Sequence, residues 1–459
     1  TGDKSWIFYD STKRRNISYF QTKNISIVLN FEILKPHQTT IIDFYFQLFK
    51  RVDQTLINKY PILVNRKCVL LQHRITKHKN MFSNFFNQKP ASLYNFVRLK
   101  KLFFKIKPNI IRNFVEECLT SVGVPIYIAT ETASNLIEAD IKGHYSHGVS
   151  RLPFYINDLT SGITSKDGNI TIEKEKFSTC QINGNNLLGA YVGSFCIKKA
   201  IELAKKYGVG IVTAKQSNHF GICSYYSEMA EKEGLISMVF TNTSPCVFHC
   251  RAAEKGMGSN PISLAAPSST EGDNFSLDMA TTTVAYGKIE VLQRKGQDEV
   301  PISWGANKNG IQSRSANEIL SDGGLMPLGG VEETGGYKGS GLGMMVELLC
   351  GVLSGASFGK NIRFWQKDTS GIANLGQCFI AIDPDCFEDN FKERCQQYLD
   401  ETRNLKPVDE EKSVLVPGDV ERKKKEMCYK KGGVIYEQYQ IDIFRKLALQ
   451  LNLDSTNFF

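Results

Sequence analysis

Gly208-Val209-Gly210-Ile211-Val212-Thr213 leads, through three residues, into Ser217-Asn218-His219-Phe220-Gly221. The first stretch is short, apolar and β-branched, which predicts a buried strand. The second places an imidazole among small and polar residues just past that strand. A rigid element there hands a titratable side chain to an exposed loop. Working outward, residues 192–207 carry Ile197, Ala200, Ile201 and Ala204 at helical spacing. Residues 224–233 again read as helix and residues 236–241 as strand. Further strands fit residues 262–266, 275–279 and 378–382. This alternation predicts an α/β fold with a mixed sheet.

Upstream, Pro108 opens an amphipathic helix whose stripe is Ile111, Phe114, Val115, Cys118, Leu119 and Val122, closed by Gly123. A second helix over residues 128–141 carries Ala133, Leu136, Ile137 and Ala139 toward its partner. It delivers Gly143-His144-Tyr145-Ser146-His147-Gly148-Val149-Ser150-Arg151-Leu152-Pro153 into a loop. Residues 341–355 predict an apolar helix after a glycine-rich turn, with Leu348, Leu349, Val352 and Leu353 expected in the core. The organisation expected is a poorly structured basic extension (1–96), a helical N-terminal lobe carrying a substrate loop (97–190), a cofactor-binding mixed α/β lobe (191–345), and a C-terminal segment packing back on the body (346–459).

Charge divides the chain at the same place. The formal net charge is +9, yet residues 1–100 hold 17 Lys and Arg against 5 Asp and Glu. The remainder is slightly acidic, so the body lacks the basic footprint of a nucleic-acid-binding protein. Residues 1–100 contain a single glycine and a single alanine, and no sustained period of either kind. A basic arm for an acidic partner is the functional alternative for that stretch. No run of roughly 18 apolar residues occurs, so no membrane span is expected. The twelve cysteines form no spaced framework, which fits reduced thiols and a cytoplasmic location. Cys246-Val247-Phe248-His249-Cys250 offers half a zinc site with no second ligand pair, so no metal is expected.

A Rossmann fingerprint is absent. The pairs Gly208/Gly210, Gly256/Gly258, Gly339/Gly341 and Gly341/Gly343 all lack the final glycine. There is no Walker loop, no G-x-S-x-G elbow and no H-E-x-x-H helix. A dinucleotide, if bound, is held by another route.

Taken together, several stretches resemble the type-2 malate/L-lactate dehydrogenase family. They are Glu138-Ala139-Asp140, Ser146-His147-Gly148-Val149, Arg151-Leu152-Pro153, Ser217-Asn218-His219-Phe220-Gly221, Thr241-Asn242-Thr243-Ser244-Pro245, Gly258-Ser259-Asn260-Pro261, Leu277-Asp278-Met279-Ala280-Thr281 and Gly336-Tyr337-Lys338-Gly339-Ser340-Gly341-Leu342. The resemblance runs from about residue 97 to 453. It implies a non-Rossmann cofactor-binding fold, NAD or NADP as cofactor, and a homodimer with the active site close to the subunit boundary. It also implies cofactor contacts at Thr243, Leu277, Asp278, Met279, Lys338 and Gly339. The chain departs from the family at His249-Cys250-Arg251-Ala252-Ala253, where a Trp-Gly-Gly stretch is common.

Hydride transfer at C2 of a 2-hydroxy or 2-oxo acid needs a base for the hydroxyl proton and a cation for the carboxylate. Imidazole titrates near neutrality, and the resemblance allows either His219 or His147 to be the proton acceptor. His219 is the first choice. Arg151 suits the carboxylate, which guanidinium pairs bidentately. Ser146, Tyr155 and Asn218 are candidates to orient substrate or base, whereas His144 is expected to be structural. Asp278 can bond the dinucleotide or cap a turn. Lys338, between glycines at a helix start, stands where phosphate is favoured. The expected activity is an NAD(P)-dependent oxidoreductase of a small malate- or lactate-like acid. The alternatives are a reductase of a cyclic imine carboxylate and a catalytically silent dimeric scaffold.

Overall fold

A computed structural model describes residues 7–10, 15–21, 26–32, 103–294, 296–365 and 371–459. The chain divides into two units, Thr1–Phe103 and Phe104–Phe459. In the first, β1 (Ile7–Asp10), β2 (Arg15–Gln21) and β3 (Ser26–Glu32) form an antiparallel meander. No regular element was expected there from sequence. Neither Arg15–Gln21 nor Ser26–Glu32 alternates strictly between apolar and polar residues, so the period-two signal of a strand is missing. The rest of residues 1–96 lies outside the described residues.

The second unit is built on a seven-stranded mixed sheet, in the order β12-β11-β8-β16-β7-β6-β5. Its strands are β5 (Thr171–Lys176), β6 (Thr179–Asn183), β7 (Val209–Ser217), β8 (Ile236–Thr241), β11 (Ile262–Ala266), β12 (Phe275–Met279) and β16 (Leu375–Ile382). β16 enters antiparallel between β7 and β8. Those two strands therefore run the same way and end at the same sheet edge. This insertion from the C-terminal part of the chain is what separates the fold from a doubly wound parallel sheet. Alternation divides the central side chains between two faces. Phe379 meets Tyr226 and Phe220 at 5.8 and 6.2 Å on one face. Cys378 and Phe240 cluster with Val346 and Cys350.

A smaller sheet, ordered β10-β9-β15-β13-β14, joins β9 (Val247–Phe248), β10 (Lys255–Met257), β13 (Gly305–Ala306), β14 (Gln312–Ser313) and β15 (Gly324–Leu325). Its core is Val247, Met257, Ile289, Val300, Ile319 and Leu325.

The N-terminal helices begin and end where local chemistry directs. In α1 (Pro108–Ser121) proline occupies the first turn, and Gly123 adopts φ +93° just beyond its end. Its stripe buries Ile111, Phe114, Val115, Cys118 and Leu119. Phe114 is met by Phe444, Phe458 and Phe459 at centroid separations of 5.8, 5.3 and 4.8 Å. Helix α2 (Ile126–Ile141) leads into the loop expected to carry substrate-binding groups. That loop ends in a single 3-10 turn at Val149–Arg151, followed by α3 (Leu152–Thr160).

Both ends of the loop are held by buried polar side chains. Lys142 donates to Glu228 at 2.7 Å at its start. At its end the Asp140 carboxylate accepts from Val149 N at 3.2 Å and from the Tyr436 hydroxyl at 2.6 Å. Tyr436 lies on β17 (Val434–Glu437), which pairs with β4 (Phe103–Ile106). Gly148 must lack a Cβ, since one would lie 1.8 Å from Asp140 Oδ1.

The glycine-rich segment expected to be a turn is itself helical, as α8 (Gly336–Glu347), and continues into a π turn at Leu348–Val352. Its inward face is Gly339, Gly343, Val346 and Cys350. Leu348, Val352 and Leu353 are 58, 53 and 59 % exposed, which corrects their expected place in the core. Both faces of this helix are apolar, so periodicity alone cannot say which turns inward.

Removing the Phe114 ring tests the aromatic cluster: Phe114→Ala should cost roughly 3–5 kcal/mol of unfolding free energy, read by denaturant titration. Asp140 makes a pH-dependent prediction. Burial pushes its carboxyl up to about 7, against the opposing bonds from Tyr436 and Val149. The unfolded chain ionises the group near 3.9. Between about pH 4 and 7 the unfolded state therefore sheds a proton that the folded state keeps, and stability falls as pH rises. Asp140→Asn should remove that slope, gaining on the parent by up to roughly 4 kcal/mol across the window. Parallel stability curves for the two proteins would show that the carboxyl is ionised when folded.

Candidate active site

β7 and β8 open their loops side by side, and the head of β16 registers both. Gln377 donates through Nε2 to Asn218 O at 3.1 Å and accepts from Ser217 Oγ at 3.1 Å. Gly376 N donates to Asn242 Oδ1 at 2.9 Å, and Asn242 N donates to Gly376 O at 3.3 Å. A side chain at Gly376 would lie 1.7 Å from the Cys350 carbonyl of the π turn. His219 and Thr243 are thus carried by two loops tied to adjacent residues of one strand.

Three rings stack at the first loop. His147 and His219 lie 5.9 Å apart at 18°, and Trp365 covers His219 at 4.7 Å and 24°. Tyr155 stands beside them and places its hydroxyl 2.5 Å from His219 Nδ1. Ser146 Oγ lies 2.9 Å from His147 Nδ1. Each imidazole therefore has its Nδ1 edge held by a hydroxyl. Among the described residues no protein group takes Nε2 of either ring. Arg151 donates from Nε to the Ser146 carbonyl and lies over the Phe154 ring at 5.8 Å.

Burial dominates the electrostatics. It pushes His147 down to about 3, helped by Arg151 and His144. It also holds His219 well below the ordinary histidine range, helped by His147 and Arg151. Both rings are neutral bases at pH 7, as proton acceptance requires. Burial pushes the Tyr155 phenol up, so its hydroxyl keeps its proton.

The structure thus brings together five residues named from sequence: His219, His147, Arg151, Ser146 and Tyr155. Asn218 sits behind them. Its Nδ2 donates to Leu187 O at 2.9 Å and to Asn186 O at 3.2 Å, which anchors the loop. His144 lies at the outer end of its loop, 3.6 Å from Glu421. Trp365 was not foreseen. Nor was the buried Asp158–Arg363 ion pair, to which the indole Nε1 donates at 2.9 Å. A lone tryptophan 146 residues from His219 carries no local signal, and only the completed sheet brings it there.

Two of the residues expected to contact cofactor, Thr243 and Gly339, are joined through Ser259, Thr281 and Leu328. Thr243 Oγ1 accepts from Ser259 N at 2.9 Å, and Thr281 N donates to Ser259 O at 2.9 Å. Leu328 N donates to Thr281 O at 2.9 Å, and Gly339 lies against the Leu328 backbone. Asn260 Oδ1 accepts from Thr243 N at 3.1 Å. Lys338 is exposed, with Nζ over the Tyr337 ring at 5.9 Å. Asp278, between Leu277 and Met279 on edge strand β12, accepts from Ser224 N at 2.8 Å. It caps α5 (Cys223–Glu231), the helix that leaves the His219 loop. Ser244, next to Thr243, accepts from Trp365 N at 3.1 Å, which joins this series to the ring stack. Hydroxyl and amide groups beside a lysine suit a dinucleotide, so the residues present fit NAD or NADP. Bound there, such a cofactor would supply the hydride acceptor or donor.

The family model described as malate/L-lactate dehydrogenase matches residues 106–442. The malate dehydrogenase of Pyrococcus abyssi is 38 % identical over 354 residues, which is 76 % of this chain and 96 % of that one. The malate/(S)-sulfolactate dehydrogenase of Methanothermus fervidus is 37 % identical over 356 residues, covering 76 and 99 % of the two chains. The crystal structure of malate dehydrogenase from Entamoeba histolytica superposes with a TM-score of 0.72 at 31 % identity, over 76 % of this chain and 98 % of that one. The chain belongs to the malate/L-lactate dehydrogenase family.

Proposed function

We propose that this protein transfers hydride between the nicotinamide of NAD or NADP and C2 of a small 2-hydroxy or 2-oxo acid of the malate or lactate type. The observation that carries the reading is the stacked pair of neutral imidazoles, each held at Nδ1, with the Arg151 guanidinium in the same cluster. Arg151 holds the substrate carboxylate. His219 Nε2 takes the hydroxyl proton during oxidation and returns it to the carbonyl oxygen during reduction. For Nε2 to be free to accept, the neutral ring carries its hydrogen on Nδ1 and donates it to the Tyr155 oxygen. The Tyr155 hydrogen turns to the His219 carbonyl, 3.3 Å away, and both bonds persist once Nε2 is protonated. The phenol therefore stays hydrogen-bonded in both charge states of the base. His147, fixed by Ser146, lines the other face of His219.

Thr243, Leu277, Asp278, Met279, Lys338 and Gly339 form the cofactor side in this reading. The exposed apolar face of α8 and its π turn, with Met344, Leu348, Val352 and Leu353 more than half exposed, supports pairing of two copies. Among the described residues no helix is long and apolar enough to cross a membrane. Reduced thiols and a cytoplasmic location complete the proposal.

Absorbance at 340 nm, with both cofactors against a panel of 2-oxo acids and one cyclic imine, tests the activity. His219→Asn should lower turnover by roughly 100-fold or more; near-normal turnover would move the proton to His147. Arg151→Lys should raise the KM for the acid strongly, since an ammonium cannot form the bidentate pair, and an unchanged KM would remove Arg151 from the pocket. Leu348→Glu should convert a dimer to monomer by light scattering, and an unaltered dimer mass would place the contact elsewhere.

A further inference from the structure

Trp365 has no part in the chemistry assigned above, yet it is among the most firmly held side chains of the cluster. Its indole is parallel to within 24° of His219 and 29° of Tyr155, and it meets Phe154 at 5.4 Å. Its Nε1 donates to Asp158, whose carboxylate pairs with Arg363, and the side chains of that pair are only 7 and 5 % exposed. Its backbone is fixed as well, because Ser244 Oγ accepts from Trp365 N and donates to Arg363 O at 2.8 Å. His219 thus lies between two plates, Trp365 and His147, with Tyr155 on its Nδ1 edge.

We propose that Trp365 is a positioning residue for the reaction: its indole, anchored on Asp158, fixes the plane of His219 and keeps water from that face, so that Nε2 is the edge presented to substrate. The proposal rests on His219 being the proton acceptor. The groups facing His219 are His147, Arg151 and Tyr155, and Asp158 is reached through the indole. Arg151 and His147 both oppose a positive charge on His219. Water admitted to the indole face would weaken both the desolvation and that repulsion.

The test uses the full chain, with Trp365→Ala and Trp365→Phe beside the parent. Histidine nitrogen resonances, with His219 assigned from His219→Asn, follow protonation without substrate or cofactor. In the parent the His219 signal should remain that of a neutral ring well below the ordinary histidine range, and in Trp365→Ala its midpoint should rise toward that range, roughly 6.5. Trp365→Phe keeps an aromatic plate but loses the bond to Asp158, so its midpoint should move less. With L-malate and NAD, kcat should fall roughly 10-fold or more in Trp365→Ala while KM changes little, as expected when a reacting group is misplaced. The acid limb of the rate profile should move with the resonance.

An unmoved His219 midpoint with unchanged kcat would overturn the proposal, as would a raised KM at constant kcat, which would make the indole a wall of the substrate pocket. If Trp365→Ala does not fold, Trp365→Phe decides: a several-fold fall in kcat at unchanged melting temperature supports positioning, and parent-like kcat overturns it. Failure of the underlying reading is separately visible as near-normal turnover in His219→Asn.

Discussion

Everything at the candidate site depends on the hydrogen bonds that the first residues of β16 make to both neighbouring strands. Gln377 holds the loop that carries His219, and Gly376 holds the loop that carries Thr243. Both anchors are buried amides, whose loss would leave an unsatisfied polar group in the interior. The spacing between base and cofactor side is therefore set by a sheet ladder together with the buried side-chain amides of Gln377 and Asn242. The close approach of Gly376 to the π turn extends the same constraint to α8. A π turn in this position agrees with the general tendency of such irregularities to lie near functional sites.

The second constraint is dryness. Two imidazoles, a phenol and a guanidinium share a small, partly buried region, and burial is the largest influence on the first three. In water the two imidazoles would titrate near neutrality. Here the rings are kept as bases, and Arg151 reinforces that state while offering charge to an anionic substrate. The same logic explains the hydroxyl partners. A neutral imidazole held at Nδ1 by serine or tyrosine has a defined second edge, whereas a carboxylate in that place would favour the imidazolium.

Much of this was legible in the residues themselves. The proline before Ile111, the glycine after α1, the stripe of α4 (Gly189–Tyr207) and the short apolar runs of β7 and β8 are local signals, and they put elements close to where they lie. His219 and His147 stood out because imidazole among small polar residues is an uncommon choice for packing. Their mutual stacking was not legible, since it depends on α2 and β7 meeting in space. Trp365, Asp158 and Arg363 were missed for the same reason. Asp158 reads locally as an ordinary helix residue, and only the fold brings Arg363 and the indole to it. Leu348, Val352 and Leu353 misled in the opposite sense, because apolar character signals burial without saying against what. Asp278 was open between two roles, and its carboxylate accepts from Ser224 N at the start of α5.

The position of β16 in the chain has a consequence for biosynthesis. Ser217 pairs with Leu375, and Thr241 with Gln377, so the two central strands made early lack their shared neighbour until the ribosome has passed residue 382. Until then both present open edges, which invite association with other chains. Closing so long a loop costs entropy before the new ladder returns any of it. Folding should thus be gated by a late event, and a nascent or prematurely terminated chain would emerge with a nearly complete scaffold, sticky margins and no chemistry.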